Sequence, residues 1–338
     1  MHTWKEKLQA AIHETLQHFT ASSPIAVTPT IQAVACLDKI INETLPSHPL
    51  EKEDNIFIDH CRITYLLKLG HLYQTKQYNA EARALYDIAL NIHKNNTEVE
   101  PSTHVCILNN LGAIHLKQKE YQQGLNIYDE SLNIYYKNSN IPIEYLGNIF
   151  LNQGQIYVRL RKYDEALHHF EKAYDIFIHT QDLKIKFATL STIMTSMIGI
   201  CALKEDDIEL AARFKLMITL FGAKHPEVAN TLNTIGIVQI ALKKFDHAQI
   251  NFKKALDMLD NTHPYALQSI RFLTALKDNE QSTQSPMPAA PTKTLSYCAQ
   301  TKSEQSEVFE NKQVKTKASN ATNFKTKAQS AYKKQKKP

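Results

Sequence analysis

Five of the eight glycines, Gly70, Gly112, Gly154, Gly199 and Gly236, recur at intervals of 42, 42, 45 and 37 residues, each inside a pattern with the apolar spacing of an amphipathic helix. Glycine in a helix interior costs about 1 kcal/mol relative to alanine, so a periodic glycine marks places where two helices approach too closely for a side chain. Self-similarity at this period is the signature of a helical repeat array, in which each unit is a helix pair that buries its apolar face against its neighbours.

The residues around the glycines keep register with them. Twelve positions on stand Ala82, Gly124, Ala166, Ala211 and Ala248; sixteen on, Tyr86, Tyr128, Phe170, Lys215 and Phe252; nineteen on, Ala89, Ser131, Ala173, Ile218 and Ala255. With units such as Leu69-Gly70-His71-Leu72-Tyr73 followed by Ala82, Tyr86 and Ala89, the chain resembles the tetratricopeptide repeat family. In that family, small residues of helix A meet small residues of helix B, and an aromatic plugs the remaining gap. The run His225-Pro226-Glu227-Val228-Ala229-Asn230 and the later Lys243-Lys244-Phe245-Asp246-His247-Ala248 are similar to the kinesin light chain style of the repeat. The unit around Gly199 departs, with Ala202 where two others have Tyr73 and Tyr157, and Lys215 in the aromatic position.

The resemblance implies an all-α, right-handed tetratricopeptide-type α-solenoid. Residues 1–62 are expected to form capping helices, 63–262 five helix pairs with a degenerate fourth, 263–280 a C-terminal capping helix, and 281–338 a disordered tail. Trp4, Leu8, Ile12, Leu16 and Phe19 fall on one helical face, as do Val34, Leu37 and Ile41 beyond a Ser/Pro/Thr break. Pro101, Pro142, Pro226 and Pro264 stand just ahead of helices, where a fixed φ suits a first turn.

Net charge is +5, yet the tail from Gln281 holds eleven lysines and three glutamates, +8, so the remainder carries about −3. Such a tail buries too little apolar surface to offset chain entropy. Its terminal Lys333-Lys334-Gln335-Lys336-Lys337 suits an anionic surface, but without interleaved aromatics it is not expected to bind nucleic acid specifically. Cys36, Cys61, Cys106, Cys201 and Cys298 are dispersed, neither a disulfide framework nor a zinc spacing, which fits a reducing compartment. The N-terminus lacks the form of a secretory signal, and a cytoplasmic location is expected, with export by a signal-peptide-independent route as the alternative. Phe187 to Leu203 carries no charge, but it contains five serines and threonines and reads as a buried repeat helix, not a membrane span.

No phosphate loop, dinucleotide fingerprint or nucleophile elbow is present. His13 and His18, five apart, diverge by about 140° around a helix and do not form a zinc pair. The adjacent His168 and His169 face different ways. No catalytic residue, cofactor or metal is therefore expected.

In the family that the chain resembles, the inner face of helix A lines a groove for a peptide. Here it would offer Asn109, Asn110, Asn148, Asn152, Gln155, Asn230 and Asn233, with Lys117 and Arg159 further along. Amides both donate to and accept from a peptide backbone, and the two cations would favour acidic side chains. The same amides could equally tie neighbouring helices together. The expected function is an adaptor or scaffold that binds a peptide or partner protein, with oligomeric state left open. A translocated bacterial effector with the tail as its signal, on the strength of Glu304, Glu307 and Glu310, is the alternative. An enzyme hidden in an atypical repeat is a third.

Overall fold

The computed structural model describes residues 3–21, 30–46, 49–96 and 98–281. The tail expected to lack order lies, from residue 282 onward, outside the described residues. Among the described residues there are thirteen α-helices and no strand: α1 Trp4–Ala21, α2 Thr30–Thr44, α3 Lys52–Thr75, α4 Asn79–Asn95, α5 Pro101–Lys117, α6 Tyr121–Lys137, α7 Ile143–Arg159, α8 Tyr163–Phe177, α9 Leu183–Lys204, α10 Asp207–Phe221, α11 Pro226–Ala241, α12 Phe245–Leu256 and α13 Pro264–Gln281. Pro101, Pro226 and Pro264 open their helices, and Pro142 directly precedes α7. Helix α3 starts at Lys52, so residues 52–62 belong to the first pair and not to the caps.

The chain divides into two compact units, one ending at Ile156 and the other beginning at Tyr157, within α7. In the first, Leu8, Ile12 and Leu16 of α1 and Leu37 and Ile41 of α2 share a core with Ile58, Leu66, Tyr73, Leu85 and Tyr86 of α3 and α4. The end of α1 is fastened by Trp4 edge-on to Phe57 at 5.8 Å and by Lys5 to Asp54 at 2.8 Å.

Within pairs the glycine notches work as the sequence predicts. A Cβ on Gly70 would lie 2.5 Å from the Tyr86 ring, one on Gly112 2.5 Å from Tyr128, and one on Gly236 2.7 Å from Phe252. Small residues are buried beside these rings, among them Ala82, Ala89, Ser131, Ala248 and Ala255.

A second repeat, invisible in residue types, sits at the turns. Gln77, Lys119, Arg161, Glu205 and Lys243, one after each helix A, all adopt positive φ of 57–68°. Each is followed by an amide that donates five residues back: Tyr78 to Tyr73, Glu120 to His115, Lys162 to Tyr157, Asp206 to Cys201 and Lys244 to Gln239, at 2.8–3.0 Å. This left-handed cap satisfies the orphan carbonyls at each helix end.

Counting from these turns corrects the fourth unit. The left-handed residue lies seven positions after Gly70, Gly112, Gly154 and Gly236, but only six after Gly199. The true counterpart of the glycines is therefore Ile198, and the aromatic position holds Phe214, not Lys215. Lys215 and Ala211 are exposed, whereas Met217 is fully buried. With Ile198 filling the notch, Phe214 turns instead to Ala229, Leu232 and Ala255 of the next pair.

Helix α9 is long and apolar enough to cross a membrane by length and composition, with mean hydropathy 1.5 over its best stretch. In the structure it is a core helix whose hydroxyls bond to α11. Ser191 donates to Glu227 at 2.6 Å, and Thr195 meets Thr231 at 2.9 Å. Ser269 of α13 donates to Asn233 of α11 at 2.7 Å, again 36 residues away. Buried hydroxyls need such partners, so this ladder fixes the stacking of the three helices.

Candidate functional site

The amide-bearing positions divide between the two units. In the first, α5 carries Asn109, Asn110 and Lys117, and α7 carries Asn148, Asn152 and Gln155. In the second lie Arg159, at the end of α7, and Asn230 and Asn233 on α11.

Several of these side chains are consumed by the fold. The Oδ1 of Asn109 accepts from Ser131 at 3.4 Å, and its carbonyl accepts from Tyr128 at 3.5 Å, tying α5 to α6. Asn110 donates to the Cys106 carbonyl in its own helix at 3.0 Å. Asn152 reaches from α7 to the hydroxyl of Tyr128. Lys117 donates to the carbonyl of Gln74 at 3.5 Å.

In the second unit, Asn233 is fully buried, donating to Tyr265 O at 2.9 Å and accepting from Ser269. Asn230 is buried and donates to Glu227 at 3.4 Å. These two asparagines are thus packed inside the unit, away from any surface a partner reaches. Arg159 is half-buried and engaged within the protein.

Asn148 and Gln155 remain. Both are half-buried, and neither amide bonds to another described residue. Seven positions apart on α7, they project from one face, two turns and about 10 Å from each other. Asn152 stands between them, held by Tyr128. The neighbouring part of α5 contributes Cys106, bonded to Tyr145 of α7, with burial pushing its thiol up to about 11. That thiol is protonated at neutral pH and is a poor nucleophile.

Other titratable clusters are structural. His93 and His104 lie ring to ring at 4.6 Å, tilted by 40°, where α4 passes to α5; burial lowers both pKa values, that of His104 to about 4. His115 and Arg83 share Glu120, at 2.6 and 3.3 Å. Burial likewise lowers His169, to about 3, beside the Tyr157 ring. Among the described residues no group of three or more His, Cys, Asp or Glu side chains is placed to hold a metal ion.

Sequence reasoning missed the turn residues with positive φ, the Cys106–Tyr145 contact and the shifted register of the fourth unit. Only the last left a sequence trace, the 45- and 37-residue glycine intervals flanking Gly199.

An all-α chain built of helix pairs closed by glycine notches and left-handed caps belongs, by fold, to the class of helical-repeat proteins. A family model described as tetratricopeptide repeat matches residues 103–178, from α5 to the end of α8. That stretch of the chain matches the tetratricopeptide repeat, and the fold class is an all-α array of helix pairs. The apo form of RapI is similar to it with a TM-score of 0.52 and 12% identity over 82% of this chain and 72% of that one, a likeness of fold. Weaker likenesses join it to NprR in complex with its cognate peptide NprX, with a TM-score of 0.48, 14% identity, and 82% and 74% of the two chains covered. YrrB, a TPR protein with an unusual peptide-binding site, has a TM-score of 0.39, 17% identity and 69% and 97% coverage. No curated protein sequence matches the chain.

Proposed function

We propose that this protein is a non-catalytic adaptor that binds a peptide or a partner protein on the helix-A face of its first unit, at α5 and α7. The observation that carries the reading is the contrast among its amides. Asn109, Asn110, Asn152 and Asn233 are spent on the fold, whereas Asn148 and Gln155 are held on one face without a partner. An amide presents both a donor and an acceptor, the complement of a peptide bond. An extended chain rises about 3.3 Å per residue, so the roughly 10 Å between the two amides corresponds to about three residues of ligand. Lys117 at the end of α5, which is exposed even as it reaches the Gln74 carbonyl, adds a positive charge and a preference for an acidic ligand side chain.

The test is a peptide array probed with the full chain and with a variant carrying Asn148→Ala and Gln155→Ala. Peptides that bind the natural chain and lose at least tenfold in affinity for the variant, with melting unchanged, support the reading. Equal binding by both would place the ligand elsewhere.

A further inference from the structure

Helix α10 is held to the protein differently from α4, α6 and α12. In the pairs α3–α4, α5–α6 and α11–α12 an aromatic ring lies in a glycine notch and the two helices pack closely. Between α9 and α10 that lock is missing: Ile198 fills the notch, Phe214 points to the following pair, and the helices pack more loosely. Ile208 is 86% exposed and Leu216 40% exposed, so neither side chain does much to hold the helix.

Phe221 at the far end of α10 still meets Phe187 of α9 edge-on at 5.8 Å, and Met217 accepts from Thr231 of α11 at 3.0 Å, but the polar tie along its middle is one cation. Arg213 donates to Glu171 of α8 at 2.8 Å and pairs with Glu209 of its own helix at 2.7 Å. Its other amine approaches Met197 Sδ of α9 at 2.9 Å. Four residues on, Met217 is the one buried side chain of the helix.

As a helix, α10 is nevertheless well finished. Asp206 caps its first turn by accepting from Glu209 N at 3.0 Å, whereas α4, α6, α8 and α12 have no side-chain cap. Its two ends are left-handed positions, Glu205 at φ 57° and Gly222 at φ 92°, and a Cβ on Gly222 would meet open space. A weakly packed helix that ends at the permissive Gly222 is a part that comes away as a unit while the rest of the fold stays in place.

We propose that α10 is a detachable strap, which lifts from α9 about Glu205 and Gly222 and is latched shut by the Arg213–Glu171 ion pair. Lifting uncovers Met194, Met197, Ile198 and Cys201 of α9, all buried when the strap is down. Cys201 lies beside Arg213 and reports the event directly.

Hydrogen exchange followed by mass spectrometry on the full chain tests this. A free 15-residue helix is marginal in water, so a lifted α10 loses its amide protection. Peptides from α10 should exchange at least tenfold faster than those from α12 under native conditions, and Cys201 should be alkylated at least tenfold faster than the equally buried Cys61. Glu171→Gln should raise the α10 exchange rate and the Cys201 alkylation rate several-fold and leave α12 and Cys61 unchanged. Equal protection of α10 and α12 would overturn the strap. An unchanged α10 in Glu171→Gln, or a rise shared by every helix, would overturn the latch.

Discussion

A Cβ built on Gly112 would lie 2.5 Å from Cζ of Tyr128, and the ring that it would strike is itself fully buried. The ring has nowhere to retreat, because Tyr128 also reaches Asn109 and Asn152 through its hydroxyl. Gly112→Ala therefore sets helix propensity, which favours alanine by about 1 kcal/mol, against overpacking, which costs about 1–3 kcal/mol. Overpacking is expected to win, giving a net loss of up to about 2 kcal/mol in a urea titration. A variant as stable as the natural chain would show that α5 and α6 can separate freely.

The hydroxyls of Tyr86 and Tyr128 occupy equivalent positions and have opposite prospects. That of Tyr128 is bonded, and its removal in Tyr128→Phe should cost about 1 kcal/mol. The hydroxyl of Tyr86 is buried with no partner, so Tyr86→Phe removes an unpaid desolvation and should be neutral or stabilising by up to about 1 kcal/mol. Phe170 and Phe252 already stand at the corresponding positions of two other units. Equal losses in the two variants would contradict the assignment.

These notches explain how much of the fold was legible in the sequence. Gly70, Gly112 and Gly236 and their rings announce the close approach because a side chain there would collide with the ring of its own pair. The fourth unit misled because Gly199 is a glycine one position out of register, while Ile198 shows no small-residue mark. The candidate site was legible only as a list of amides. Whether an asparagine on helix A faces a ligand or a neighbouring helix depends on one hydrogen bond across the pair. Asn152, at the repeat position of Asn110, bonds outward to Tyr128, whereas Asn110 bonds back to its own helix.

The turn residues were hidden because their conformation is favoured by glycine but none is glycine. Lys119 holds φ 64° with its side chain exposed and in no ion pair. A left-handed non-glycine residue costs roughly 1–2 kcal/mol, and glycine gives back about half of that gain through its greater chain entropy. Lys119→Gly should then stabilise the chain by about 0.5–1 kcal/mol, and Lys119→Val should destabilise it by at least as much. Thermal melting of the two variants beside the natural chain decides this, and a lower melting point for the glycine variant would contradict it.

Acid should weaken the first unit through the His93–His104 pair. Burial holds His104 neutral down to about pH 4, where an unfolded histidine takes up its proton near 6.5, and the neighbouring His93 and Lys94 push the same way. Above pH 7 the ring is neutral in both states and contributes nothing to the pH dependence. As the pH falls through 6.5 the unfolded chain binds the proton first, and stability is lost until about pH 4, below which the folded ring is charged as well. For a half-buried ring the loss is about 1–2 kcal/mol once solvent screening is allowed for. His104→Phe keeps a flat ring against His93 and removes the titration. Denaturant midpoints from pH 7.5 to 4 should accordingly fall less steeply for the variant than for the natural chain, with the two curves diverging below about pH 6.5. Parallel curves across that range would show that His104 is freely hydrated and that the acid sensitivity arises elsewhere.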